Sequence, residues 1–316
     1  MDAHDFLRRE YTSRDLIGRA MPLLCCLTLS VVSRVAIIGA GNLGVFLASA
    51  LSRADHEVFF CVRRAPSALQ LEGDPALRLP FFLCNPPSAD IVLLTTKTYD
   101  TPSALGWLPA LGAGGQPVAV IQNGIGHAAR IAPFSAIPVL SRVYVEAQDG
   151  VHRAFAPPRA HFSVPASSAS QPFVQLFRET PIQVCQEPDF HTAAWRKMLH
   201  NCVSNPLTTL AGRGLEILAE PTYRDWAERI LAEALPIAQA DGAALRIEEP
   251  SKILHLLASY PQGTRTSMLQ DYERGKRLEL EALNGTLVEL GRRYGLPTPV
   301  NQDLISRLLI PHRHNR

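Results

Sequence analysis

Residues 34–62, RVAIIGAGNLGVFLASALSRADHEVFFCV, constrain the fold more than any other stretch of this 316-residue chain. Val35 to Ile38 form a short apolar run of strand type, and Gly39-Ala40-Gly41-Asn42-Leu43-Gly44 follows at once. Leu43, Leu47, Ala50 and Leu51 then recur at helical spacing. A G-x-G-x-x-G string is common by chance; between a strand and a helix it becomes a dinucleotide-binding turn. Gly39 permits the tight turn, Gly41 lets the backbone approach a pyrophosphate, and Gly44 lets the helix pack closely. The helix N-terminus then offers unpaired N–H groups and a positive dipole end to the anion. Asn42 and Leu43, inside the turn, count with the three glycines as expected cofactor contacts.

The next strand, HEVFFCV, should end in an acid that accepts from the ribose hydroxyls if the cofactor were NAD, but Arg63-Arg64 follows instead. A guanidinium there forks two donors onto a 2′-phosphate and stacks on adenine, so Arg63 predicts NADP(H) over NAD(H). Two ordinary surface arginines are the plain alternative. ADIVLLTTKTYDT and QPVAVIQNGIGHAARI add strands that alternate with helical stretches, the pattern of parallel βαβ units. Ligands gather at the carboxyl ends of such strands, where Lys97, Asn123 and Gly124 fall. Taken alone, Lys97 reads equally well as a surface lysine and Asn123-Gly124 as a turn.

After Pro188 helical periodicity takes over. WRKMLHNCVSNP places Trp195, Met198, Leu199 and Cys202 on one apolar stripe and Lys197, Asn201 and Asn205 on another face. A solvated face favours Glu, Lys, Gln or Arg, whereas Asn is a mediocre helix former, so the polar stripe reads as a wall turned toward something. Pro206 predicts a kink or break at its end. YRDWAERILAEALPIAQADG sets Trp226, Ile230, Leu231 and Ala234 on one face. RLELEALNGTLVELGRRYGLPTP repeats Leu280, Leu283, Leu287 and Leu290, with Gly295 as C-cap and Pro297 beyond. The expected architecture is α/β: an N-terminal Rossmann-type doubly wound sheet over 33–188, then an all-α C-terminal domain over 189–316. Pockets prefer the crevice between such domains, and a lysine presented to it suits reduction of a carbonyl, with an ammonium protonating the developing alkoxide.

At these residues the chain resembles the ketopantoate reductase family. The segments that carry the resemblance are IIGAGNLG, Arg63, TTKTYD, IQNGIG, WRKMLHNCVSNPLTTL and TSMLQDYERGKRLELEALNG, spanning about 35–299. It implies NADPH-dependent reduction of 2-dehydropantoate to (R)-pantoate, on the route to pantothenate and coenzyme A. By resemblance Lys197 matches the general acid, and Glu279 the carboxylate that orients the site and counts as a cofactor contact. Asn201 and Asn205 match substrate-side amides, Ser267 the hydroxyl that holds the substrate, and Asn123 a loop near both cofactor and substrate. Lys97 and Arg63 match cofactor-phosphate contacts. Without the resemblance, Glu279 between Arg277 and Glu281 reads as one charge on a polar helix, and Ser267 equally as a helix cap. Where members often carry a GGVT-type segment, this chain has LSRVYVEAQDGVH; where some carry a further substrate asparagine after NPLTTL, it has AGRGLEIL with Arg213. These departures bear on which 2-oxo acid is taken. The remaining readings are an NADP-dependent reductase of another branched 2-oxo acid and a non-catalytic NADP-binding homologue.

Composition narrows the rest. With 47 % hydrophobic and 19 % charged residues and a net charge of +2, the chain has material for a core and no basic stripe for nucleic acid. Six cysteines without C-x-x-C pairs read as reduced thiols of a cytoplasmic protein. No H-E-x-x-H supports a metal site and no G-x-S-x-G elbow supports hydrolysis. Residues 1–32 read as a disordered or mis-started extension without function, Met21 being an alternative start; their apolar run is too short to span a bilayer, and acids open the chain. PHRHNR reads as a tail, and a homodimer through the helical half is a further expectation.

Overall fold

Six parallel strands organise the first half of the chain in the computed structural model, which describes residues 32–66, 69–74, 76–112, 114–148, 151–155 and 161–309. The PHRHNR tail and all but the last residue of the 1–32 extension lie outside the described residues. The sheet contains β1 (Arg34–Ile38), β2 (Glu57–Cys61), β4 (Phe81–Phe82), β5 (Ile91–Leu94), β6 (Val118–Val120) and β7 (Ala136–Pro138), in the order β4-β2-β1-β5-β6-β7. At its centre Val35–Ile38 pair with Val58–Cys61 on one side and with Ile91–Leu94 on the other. Val35 and Ile37 point into one apolar core and Ala36 and Ile38 into a second, so both sheet faces are covered. This explains why the strands read as continuous apolar runs rather than alternating ones. The strand order reverses between β1 and β5, which opens the crevice where ligands bind in open α/β sheets.

Two small sheets extend this half. One holds β3 (Gln70–Leu71), β9 (Tyr144–Gln148) and β10 (Val151–Phe155); the other holds β8 (Leu140–Ser141), β11 (Phe162–Pro165) and β12 (Val184–Glu187). Among the described residues four helices accompany the strands: α1 (Asn42–Arg53), α2 (Thr101–Ala104), α3 (His127–Ile131) and α4 (Gln171–Leu176). The helical half consists of α5 (Phe190–Ala211), α6 (Pro221–Ala240), α7 (Glu249–Ala258), α8 (Ser267–Glu273), α9 (Thr286–Tyr294) and α10 (Pro299–Leu309). Among the described residues, a 3₁₀ turn at Leu215–Ala219 links α5 to α6 and a π turn at Glu281–Gly285 leads into α9. Among the described residues no helix is long and apolar enough to cross a membrane.

Helix α5 is the axis of this half. The Asp189 side chain caps it by accepting from Thr192 N at 3.0 Å, and Gly212 ends it with φ of 64°. Trp195, Met198, Leu199 and Cys202 are buried in one core with Ile230, Leu231 and Ala234 of α6, as the spacing predicts. Of the kink or break expected at Pro206, the break does not occur; α5 continues past it to Ala211. Proline removes the N–H that would bind the Cys202 carbonyl. The Asn284 side chain, from the π turn, replaces it by donating Nδ2 to Cys202 O at 3.0 Å. Asn284 also donates to Asn301 Oδ1 at 2.8 Å, and Asn301 Nδ2 donates to Glu233 at 2.7 Å. One side chain, backed by Asn301 of α10 and Glu233 of α6, therefore satisfies the carbonyl that the proline leaves open. At the far end of α9, Gly295 takes its left-handed cap with φ of 69°, as the sequence predicts.

Candidate active site

The glycine turn has the shape its motif requires. Gly39 has φ of +110°, a left-handed conformation that a side chain would strain, and a Cβ there would meet Thr96 at 3.0 Å. A Cβ on Gly44 would stand 2.2 Å from the Gly39 carbonyl, which fixes how closely α1 leaves the strand. Gly41 has nothing within 4 Å on its Cβ side, so the face next to the helix N-terminus is open to a ligand. Thr95 Oγ1 holds the turn from below by donating to Gly39 O at 2.9 Å. An exposed Gly41 with room beside it and a helix N-terminus without a side-chain cap fit a pyrophosphate.

Across the crevice the two halves meet in one polar network. Glu279, only 5 % exposed, accepts from Lys97 Nζ at 3.2 Å, Thr98 N at 3.0 Å, Thr98 Oγ1 at 3.1 Å and Asn123 Nδ2 at 3.2 Å. Burial works against its charge, but Lys97 and these donors outweigh it and hold the carboxyl below the usual carboxylate range. Lys97 also pairs with the buried Asp271 at 2.6 Å. Burial favours its neutral form, yet Glu279 and Asp271 prevail and raise the ammonium above the ordinary lysine value. Expected from the family resemblance to contact a phosphate, Lys97 here holds two carboxylates. Asn123 carries the network on: its Oδ1 accepts from Asn201 Nδ2 at 3.5 Å, and Asn201 Oδ1 faces His200 Nδ1 at 3.4 Å.

Lys197 stands differently. Among the described residues no carboxylate pairs with it and no group hydrogen-bonds its ammonium. Burial and the nearby Arg142 push it down to about 8, with Glu279 pulling the other way. Two imidazoles lie within electrostatic reach. Burial, with Arg130, drives His127 down to about 4, and burial drives His200 down to about 4. Both rings are neutral near pH 7, so Lys197 is the group here that carries a proton and, among the described residues, has no partner for it.

The substrate-side residues divide. Asn201 lies in the network, whereas the buried Asn205 uses its Oδ1 to accept from Ser267 Oγ at 3.3 Å and Met268 N at 3.2 Å. That ties α5 to the start of α8. Ser267 is not the cap of α8; Thr266 is, accepting from Leu269 N at 3.3 Å and meeting Thr208 Oγ1 at 2.7 Å. Arg63 lies apart, at the end of β2, where Nη2 pairs with Asp100 at 3.0 Å. Sequence reasoning misses Asp271, although its place four residues after Ser267 puts both on one helix face. It also misses the clasp on the Asn123 loop. There Arg130 donates to Gln122 Oε1 at 3.2 Å and Ile125 O at 2.9 Å, and Gln122 Nε2 donates to Thr96 O at 2.9 Å. Gly124, with φ of +85°, rests so close to Ala282 O that a Cβ would stand 2.5 Å from it.

Comparison with known proteins gives consistent relatives. The family profile "Ketopantoate reductase PanE/ApbA" matches residues 35–147, and "Ketopantoate reductase PanE/ApbA C terminal" matches 189–310. A 2-dehydropantoate 2-reductase of Caulobacter vibrioides is 30 % identical over 289 residues, covering 88 % of this chain and 98 % of the relative. One from Mycobacterium tuberculosis is 29 % identical, covering 87 % and 96 %. In fold, the chain resembles a 2-dehydropantoate 2-reductase of Geobacter metallireducens (TM-score 0.78, 24 % identity, 87 % and 98 % covered). It also resembles a dimeric ketopantoate reductase of Staphylococcus aureus (TM-score 0.76, 22 % identity, 87 % and 97 % covered). D-mandelate dehydrogenase, solved with NADH and anilino(oxo)acetate, shares the fold at a TM-score of 0.75 with 20 % identity, over 87 % of this chain and 97 % of that one.

Proposed function

The chain belongs to the ketopantoate reductase family, and on that premise we propose that it reduces 2-dehydropantoate to (R)-pantoate with NADPH, Lys197 serving as the proton donor. The observation that carries the reading is the half-buried Lys197, whose ammonium has no partner among the described residues, beside a network that ends in Asn201 and Asn123. When bound, the reduced nicotinamide supplies the hydride that the carbonyl carbon accepts. Lys197 meets the carbonyl oxygen, stabilises its growing negative charge and gives it a proton. Its lowered pKa suits the task, since a donor near the working pH combines a populated acid form with a strong drive to release the proton. Asn201 and Asn205 line the substrate side of α5, and Ser267 offers its hydroxyl to the substrate from α8. Glu279 fixes Asn123, and Lys97 keeps Glu279 ionised at the carboxyl end of β5 while presenting a cation to the cofactor. Residues 33–188 thus hold the cofactor, with Arg63 reading its 2′-phosphate, and 189–316 supply the proton. The product feeds pantothenate and coenzyme A synthesis in the cytoplasm, and the active form is a homodimer.

A second reading, reduction of another branched 2-oxo acid, is favoured by one observation. Strand β9 lies in the segment that departs from the family pattern, and its Tyr144 hydroxyl accepts from Gln270 Nε2 of α8 at 2.6 Å, three residues after Ser267. The test is the initial rate of NADPH oxidation with 2-dehydropantoate beside 2-oxoisovalerate, pyruvate and an NADH control. Clear preference for 2-dehydropantoate with NADPH is expected. Faster turnover of 2-oxoisovalerate would transfer the reading to the second substrate class.

A further inference from the structure

Arg277 lies in the connection between α8 and the π turn, exposed at the edge of the crevice. Its guanidinium carbon stands 4.8 Å from the centroid of the Tyr99 ring, which belongs to the other half of the molecule. The next residue, Asp100, is the partner of Arg63. Arg277 and Arg63 therefore approach the Tyr99-Asp100 corner from opposite halves, and Arg277 is within electrostatic reach of Asp100.

We propose that Arg277 is a second recognition residue for the phosphate on the adenosine ribose of NADP(H), closing on it from the helical half while Arg63 binds it from the strand end. The proposal rests on the NADPH reading above and adds to it a contact from the opposite half of the molecule. With Asp100 at 3.0 Å, the charge of Arg63 is already matched, so a 2′-phosphate entering there with a charge near −2 needs a further cation. Arg277 can supply it. Among the described residues its ion pair is with Glu281 at 2.9 Å, an exposed i,i+4 contact of small worth that a dianion displaces. The Tyr99 face holds the guanidinium at the corner meanwhile, which lowers the entropy lost when the phosphate is bound.

Calorimetric titration of adenosine 2′,5′-bisphosphate and of AMP onto the full chain, without substrate or turnover, separates this role from a merely structural one. Arg277→Gln should weaken the bisphosphate about tenfold, the loss of one charge-assisted contact, and leave AMP binding unchanged. Arg277→Lys, which keeps the charge but not the fork, should recover part of the loss. In turnover, Arg277→Gln should raise KM for NADPH with kcat and the NADH constants unaltered. Equal weakening of both nucleotides, or of neither, while Arg63→Gln abolishes their difference, would overturn the role of Arg277 and leave the NADPH reading standing. Wild-type protein that binds both nucleotides alike would overturn both.

Discussion

Lys197 shows how one residue draws its chemistry from what surrounds it. Lys197 is half-buried, lies within electrostatic reach of Arg142 and has no carboxylate partner among the described residues, so desolvation makes protonation costly and its value falls to about 8. In the proposed role the acid form is the active one, so kcat/KM for the keto acid should be level below pH 8 and fall about tenfold per pH unit above it. A profile with no descending limb above that value would remove Lys197 from the role. Lys197→Ala should lose about 10²- to 10⁴-fold in kcat while NADPH binds as before. Near-normal turnover in that variant would mean the proton comes from elsewhere; His127 and His200, neutral near pH 7, are poor substitutes. The lysine is legible in the sequence because it shares a helix with two asparagines that a solvated face would not choose. Asn205 shows the limit of that inference. Its spacing puts it with Asn201, but its carbonyl oxygen serves the backbone of α8, a tertiary use that periodicity does not reveal.

Among the elements, those with long periodic runs or a glycine turn are legible from sequence, as β1, α1, α6 and the Gly295 cap attest. The strands between Ala136 and Glu187 have two to five residues each and carry too little pattern to register. Pro206 misleads for another reason: its cost is local, whereas the structure meets it with Asn284, from a distant turn that no sequence window around the proline includes. This arrangement is testable. Asn284→Ala leaves the Cys202 carbonyl buried without a donor and also frees Asn301, and should cost roughly 1–3 kcal/mol of unfolding free energy. Adding Pro206→Ala restores the backbone N–H and should recover part of that loss. Denaturant unfolding of the two single variants and the double variant gives the coupling; strict additivity would show that the amide does not stand in for the missing bond.

At the scale of the whole molecule, polar bonds join the two halves across the crevice, with Glu279 at their meeting point. Lys97, Thr98 and Asn123 reach it from the sheet half, and Asn123 touches Asn201 on α5. A carboxylate whose pKa is lowered on folding stabilises the fold above its unfolded value of about 4.3, and that contribution fades as pH falls through the folded value. Glu279→Gln should therefore be less stable than wild type at pH 7, and the gap should narrow on acidification below about pH 4. Urea midpoints at neutral pH and at about pH 3.5 would measure this, and a gap independent of pH would show that the carboxylate matters for its shape and not its charge. Lys97 keeps Asp271 in the variant, so the halves should remain joined while Asn123 loses its anchor. Turnover should then fall more than stability does, because the same bond that joins the halves also orients the amide facing Asn201.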